Sequence, residues 1–393
     1  IRTISFLDSV WKENLENDSS FTIFNPKLIP NLTMRKPISY LGLFMLAGFG
    51  CSQPQETTQT VEADSTSSKF AHAPLVEHIY TADPSAHVFE GKIFIYPSHD
   101  IETDVAQDDM GSHFDMKDYH VFSMEKPGAP VIDHGVALKL EDVPWAGRQL
   151  WAPDAAEKDG KYYLYFPAKD KQDIFKIGVA VSDRPEGPFK AEPEPITGTF
   201  SMDPSAFQDG EEYFLLWGGI WGGQLQWYED QKLVEGRKGP TDGIPAPDQK
   251  ALMPYIAKLG SSMRELAEKP QEILILDESG EPIKAGDNSR RFFEAAWMHK
   301  YNGKYYLSYS TGDTHFIAYA IGDTPYGPFT YQGNVLDPVE GWTNHHSIVE
   351  FEGKWYLFYH DTQLSGDTPL RNIKMAELTY LPDGKIETVK PMK

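Results

Sequence analysis

The chain has 393 residues and a formal net charge of −22. That length can bury a sizeable core, and that acidity excludes a nucleic-acid partner, whose phosphates would be repelled. Aromatic residues make up 13%, with 20 Tyr and 22 Phe beside abundant Gly and Pro, a mix that favours short strands and turns over long helices.

Residues 1–33 carry no initiating Met and no clear pattern, and are expected to be an upstream segment outside the native protein. Met34-Arg35-Lys36 then opens a basic start, and an apolar stretch from Tyr40 to Gly50 ends at Cys51. A basic start, about ten apolar residues and small residues before a cut describe a secretory signal over 34–51. The apolar run is too short to anchor as a membrane span. Cys51 is the chain's single cysteine, so no internal disulfide exists, and it falls at the expected cleavage point. This resembles a bacterial lipoprotein signal, with residues 52–74 as a polar tether behind a lipidated Cys51. The alternative is a plain signal peptide with an incidental Cys. The expected location is the periplasm or the outer membrane, with membrane contact only through a lipid anchor.

From about Leu75 to Lys393 one phrase recurs. The turns Glu90-Gly91, Asp159-Gly160, Asp209-Gly210, Asn302-Gly303 and Glu352-Gly353 lead into "KIFIYPS", "KYYLYFP", "EYFLLWG", "KYYLSYS" and "KWYLFYH". Asp-Gly and Asn-Gly are strong hairpin signals because the turn residues must accept positive φ. Two copies share a later phrase, "SDRPEGPFK" at 182–190 and "GDTPYGPFT" at 322–330, so the period covers several strands. Repeated units that bury their faces only against each other predict an all-β, five-bladed β-propeller. A β-sandwich with similar hairpins is the bland alternative. Between Tyr228 and Arg290 the phrase is missing. There the spacing of Ile256, Leu259, Met263 and Leu266 predicts a helix within an insertion between blades three and four, leaning over one end as a lid or wall.

Each blade also starts its first strand with an ionisable residue. Counting back from the turn glycines, Asp83 stands at eight residues, Asp154 at six, Asp203 at seven, Glu294 at nine and His345 at eight. First strands ring a propeller axis, so four carboxylates and an imidazole converge on one channel mouth. Crowded carboxylates repel each other and their pKa values separate. Glycoside hydrolysis needs that separation, with one protonated acid and one ionised base. No His-x-x-His pair or oxygen-rich calcium loop favours a catalytic metal instead.

At these residues the sequence resembles glycoside hydrolase family 43, five-bladed propellers acting on arabinose and xylose polymers. The matching pieces are "ADPSAHVFEGKIFIYPS", "WAPDA", "SMDPSAFQDGEEYFLLW", "FFEAAWMHKYNGKYYLSYS" and "NHHSIVEFEGKWYLFYH", spanning about residues 80–375 in the family's order. The resemblance implies Asp83 as general base, Glu294 as general acid and Asp203 as the residue that orients the acid and raises its pKa. It implies inversion at the anomeric carbon. Trp151 would wall the sugar subsite or simply pack in the core. Asp154 would bond sugar hydroxyls or cap a turn. Arg371 matches a late Arg that reaches the site, with a surface salt bridge as the alternative. His345, or His346 if the register slips by one, matches an axial His. That His contacts the site directly or through a calcium or sodium ion held with waters. No cofactor is required on this reading, and a structural calcium ion is the one candidate. Nothing in the sequence separates His87 and His99 from ordinary polar residues. The expected partner is a polysaccharide or oligosaccharide, from which an exo-acting enzyme releases arabinofuranosyl or xylosyl units. The alternatives are a retaining hydrolase of the fructan-cleaving type, whose Arg-Asp-Pro and Glu-Cys motifs are missing, and a non-catalytic glycan-binding lipoprotein.

Overall fold

Hairpin turns set the register of every blade. Glu90-Gly91, Asp159-Gly160, Asn302-Gly303 and Glu352-Gly353 all have positive φ at both residues, the geometry that matches strand twist in a two-residue hairpin. Blade three differs by one residue. Asp209 pairs with Glu212, so Gly210-Glu211 form the turn, with only Gly210 at positive φ.

The computed structural model describes residues 68–393. The expected upstream segment, the signal over 34–51 and most of the tether lie outside the described residues. Blade one runs Tyr80–Phe89, Lys92–Asp100, Asp118–Met124 and Ile132–Lys139, in that order across the sheet. Blade two holds Asp154–Lys158, Lys161–Asp170, Phe175–Ser182 and Lys190–Ala191, with Ala146–Arg148 added on Lys161–Asp170. Blade three is Ser205–Asp209, Glu212–Trp217, Tyr255–Lys258 and Gln271–Glu272. Blade four is Glu294–Tyr301, Lys304–Ser310, Ile317–Gly322 and Phe329–Leu336, with Ile275–Leu276 parallel on its outer edge. Blade five has three strands, His346–Phe351, Lys354–Asp361 and Asn372–Leu378. The repeated "GPF" phrase joins third to fourth strands in blades two and four.

Period-two alternation sends each strand's aromatics to both neighbours. In Lys92–Asp100, Phe94 and Tyr96 pack with Tyr162, Leu164 and Phe166 of blade two. Ile93 and Ile95 pack with Phe351, Phe358 and Ile373 of blade five. The core is thus a set of layers between blades, which explains strands that are apolar on both faces.

The expected helical insertion is not there. Among the described residues the only helical pieces are three-residue 3-10 turns. Tyr255–Lys258 is the third strand of blade three, pairing with Glu212–Trp217, and Leu259 bridges Leu266 across a tight turn. Met263 is buried with φ of 62°, which no helix admits. Gly260-Ser261-Ser262 are weak helix formers, so the 3.6-residue spacing arises from a hairpin bend. The segment 228–290 therefore completes blade three with Tyr255–Lys258 and Gln271–Glu272 and adds the edge strand Ile275–Leu276 to blade four.

The seam lies at blade five. The Leu75 N–H donates to the Ile373 carbonyl at 2.8 Å, and Pro74 bridges Lys374. Phe70 bridges Met392, and the Val389 N–H donates to Val335 of blade four at 2.8 Å. Residues 69–74, expected in the tether from their composition, belong to the folded unit. Their partners sit some three hundred residues away, beyond any local signal.

Candidate active site

Three of the converging groups enter through distorted strand starts. Asp83 has φ of 49° within a register shift between Ala82 and Ser85. Asp203 has φ of 53° just before its strand, and Ala295 has φ of 61° beside a register shift following Glu294. Such bulges re-aim side chains, and backbone held at sparsely populated angles clusters at functional sites.

Asp83 is buried, and each of its carboxylate oxygens has one hydrogen-bond partner. Its Oδ1 accepts from Arg371 Nη1 at 3.0 Å and its Oδ2 from Ser98 Oγ at 2.7 Å. Its N–H donates to His360 Nδ1 at 3.0 Å. Burial pushes the carboxyl pKa up, but Arg371, His360, His345 and the Ser98 hydroxyl outweigh it, and the net shift is downward. Asp83 is ionised at neutral pH.

Glu294 behaves in the opposite way. Burial, then the Asp83 charge, raise its pKa to about 8, with Arg371 opposing. Asp203 is also pushed up, by burial, by Glu294 and by Asp83. The two acids therefore compete for one proton. The Ala295 N–H donates to Asp203 Oδ2 at 3.0 Å, a bond that favours the ionised form, but burial and the neighbouring charges outweigh it and leave Asp203 raised.

Arg371, just before strand Asn372–Leu378, is clamped by Asp100, with Nε and Nη2 each at 2.8 Å from its carboxylate oxygens. Its guanidinium also lies 4.7 Å from the Phe114 ring centre. His345 Nδ1 stands 3.8 Å from both Asp83 Oδ1 and Asp203 Oδ2. Burial lowers its pKa, with Asp83 opposing, and the ring is neutral. His346 does not take this place. It is fully buried, with Nε2 2.6 Å from Ser308 Oγ between blades four and five.

Asp83, Asp203, Glu294, His345, Arg371 and Trp151 line one cavity of about 280 Å³. That is near the lower bound of about 300–1,000 Å³ for small-molecule pockets. Its walls include Phe114 from the 101–117 excursion of blade one, Trp221 from blade three, Phe293 and Trp342. Residues 228–290, expected as lid or wall, contribute no lining residue. Trp151 is a wall held rigidly, its indole N–H donating to the Phe114 carbonyl at 2.8 Å and its ring 4.7 Å from Phe175.

Asp154 departs from its expected role as a sugar ligand. It is buried and does not line the cavity; its carboxylate binds Ser85, His87 (2.6 Å) and the backbone N–H groups of Ala155 and Ala206. It ties three blades together through three contacts on Oδ1 and one on Oδ2. Asp100, Ser98 and His360, which complete the shell of Asp83, carried no signal in the repeat because they end second strands instead of starting first ones.

One imidazole nitrogen and two carboxylate oxygens at the axis are too few for direct calcium coordination, which takes six to eight oxygens.

Residues 133–386 match the model of the family described as Glycosyl hydrolases family 43. The chain is 60% identical over 329 residues to Xylosidase/arabinosidase 43A of Humicola insolens, covering 81% of this chain and 99% of that protein. A calcium-free beta-xylosidase/alpha-arabinofuranosidase from a compost microbial metagenome, in complex with xylotriose, superposes with a TM-score of 0.80 at 63% identity, over 81% of this chain and 97% of the other. A Xanthomonas citri enzyme complexed with xylotriose gives 0.78 at 56% identity, over 82% and 94%.

Proposed function

Because the chain belongs to glycoside hydrolase family 43, we propose that it removes single xylosyl or arabinofuranosyl units from the ends of xylan-derived oligosaccharides by one inverting displacement. The single observation that carries this reading is the divergence of two carboxyls in one cavity: Asp83 shifted down and Glu294 raised to about 8. Asp83 takes a proton from water as it attacks the anomeric carbon. Glu294 gives its proton to the departing glycosidic oxygen, which leaves with the bond's electron pair. Asp203 keeps the acid protonated and in place. Arg371 and Ser98 hold Asp83 ionised and aimed.

The small cavity supports exo action, and the xylosidase/arabinosidase names of the relatives support the sugars. A calcium ion, if bound, would be held by His345 through waters beside Asp83 and Asp203, adding positive charge that favours their ionised forms. NMR of xylotriose hydrolysis tests the reading. Xylose should appear first as the α anomer, with xylobiose beside it. First appearance of the β anomer would overturn inversion, and on xylohexaose, early xylotriose, or xylobiose with xylotetraose, in place of xylose with xylopentaose would overturn exo action.

For the N-terminus, Cys51 as a lipidated residue anchoring the enzyme at the periplasmic side of a membrane is the companion proposal. Labelled palmitate incorporation that persists in Cys51→Ser would refute it.

A further inference from the structure

Blade one carries a second group of chemistry-bearing side chains outside the cavity. Along Lys92–Asp100, Ser98 and Asp100 face Asp83 and Arg371, so His99 between them projects to the other face of the sheet. Extending the register from Ile95 opposite Phe122 sets His99 across from Asp118, with His120 two residues on along the same face. His99 Nδ1 is 2.6 Å from Asp118 Oδ1, and His120 Nε2 is 4.0 Å from that same oxygen. One ligand atom from each of the three lies within 4.8 Å of the others, and among the described residues no other His, Cys, Asp or Glu group converges this way. Side-chain exposures of 17%, 24% and 14% leave the trio sheltered yet open to an ion from solvent.

A second, independent feature points to a ligand. His120 Nδ1 is 3.1 Å from Asp133 Oδ1, and Asp133 is itself fixed by the Gly135 N–H at 2.7 Å and by His78 Nε2 at 2.8 Å. With Nδ1–H given to Asp133, the Nε2 lone pair of His120 faces the Asp118 carboxylate. In that tautomer a cation between Nε2 and the Asp118 carboxylate, 4.0 Å apart, would replace a repulsive contact with two ligand bonds. A carboxylate behind a ligating imidazole is the usual way a metal-binding His is oriented.

We propose that His99, Asp118 and His120 bind a divalent transition ion of the zinc class, with Asp133 as the residue that orients His120. Two imidazoles and one carboxylate suit zinc, whereas calcium and magnesium take oxygen ligands. The ion has a structural consequence. His99 and Asp118 stand at the two ends of segment 101–117, whose Asp108, His113, Phe114 and Met116 line the catalytic cavity. Metal binding staples the stem of that wall.

Tag-free protein stripped with a chelator and titrated with zinc chloride by calorimetry tests the site. The expected result is uptake of a single ion per chain. Affinity should fall at least about tenfold in His120→Ala and in Asp118→Ala, and about 10–100-fold in Asp133→Asn. Glu294→Gln should bind zinc as the parent does. Should an alanine variant fold poorly, His99→Gln and the visible absorption of cobalt bound to the parent give the same reading. No saturable uptake, uptake indifferent to His120→Ala and His99→Gln, or uptake lost in Glu294→Gln would each overturn the proposal.

Discussion

Glu294 and Asp203 lie in the same buried pocket, and the charge on one governs the proton on the other. With Asp83 below the ordinary carboxylate range and Glu294 near 8, the rate should rise as Asp83 ionises and fall as Glu294 does. In the proposed assignment Asp203 carries the negative charge and Glu294 the proton, so Asp203→Asn removes a negative neighbour and the Glu294 pKa drops. The alkaline limb of the kcat/KM profile should then move to lower pH by about one unit or more, while the acidic limb set by Asp83 stays nearly fixed. A folded variant with the parent's alkaline limb would remove Asp203 from this role. Glu294→Gln should lower kcat on xylo-oligosaccharides by about 100–10,000-fold and spare activated aryl glycosides, which need less protonation. Equal losses on both substrates would count against Glu294 as the acid. The cavity positions of Asp83, Asp203, Glu294 and His345 were legible because they occur at repeated strand starts, whereas Arg371, ahead of a third strand, was reached only through the family resemblance. Asp100, Ser98 and His360 were not, since their roles come from contacts across blades, such as Asp100 with Arg371, 271 residues away. Asp154 shares the repeat position yet is consumed by Ser85, His87 and Ala206. Position in the repeat fixed its height near the axis but not the direction of its carboxylate.

At the scale of elements, the hairpins were readable because positive φ demands Gly and Asn or an acidic partner at fixed places. The second half of blade three was not, because Tyr255–Lys258 and Gln271–Glu272 are short and lack the turn phrase. Four apolar residues at helical spacing then imitated a helix. The same blade supplies a wall of the site through Ile220-Trp221-Gly222-Gly223. Gly222 is needed for close approach, since an added Cβ would lie 2.8 Å from the Met110 carbonyl oxygen and 3.1 Å from the Trp151 ring. Gly222→Ala should push these two walls apart, costing about 1–3 kcal/mol of stability. The KM for xylotriose should rise more than kcat falls, because Trp151 and Trp221 touch substrate space while Asp83 and Glu294 stay in place. Unchanged KM with unchanged melting temperature would show that the backbones shift without affecting the pocket.

For the whole molecule, the ring of blades must be closed, and the closure gathers on few residues. Blade five has three strands of its own, and its outer edge is covered by Pro74-Leu75 while Phe70 pairs with Met392. Phe70 is 9% exposed and its ring lies 4.2 Å beneath Lys374 Nζ. Lys374 is itself fully buried and paired with Asp361, which also accepts from Asn372 at 2.8 Å. Removing the ring in Phe70→Ala therefore takes away buried apolar area and the aromatic face under a desolvated cation. A large-to-small change of this kind costs about 3–5 kcal/mol, and the cation–π contact adds about 1 kcal/mol or more when desolvated. The catalytic cavity lies at the channel mouth and shares no residue with Phe70, so kcat and KM of the folded variant should match the parent at low temperature. The melting temperature should drop, and limited proteolysis should cut first in the 69–75 segment. A melt superimposed on the parent's would show that pairing between blades one and five holds the ring closed without this segment.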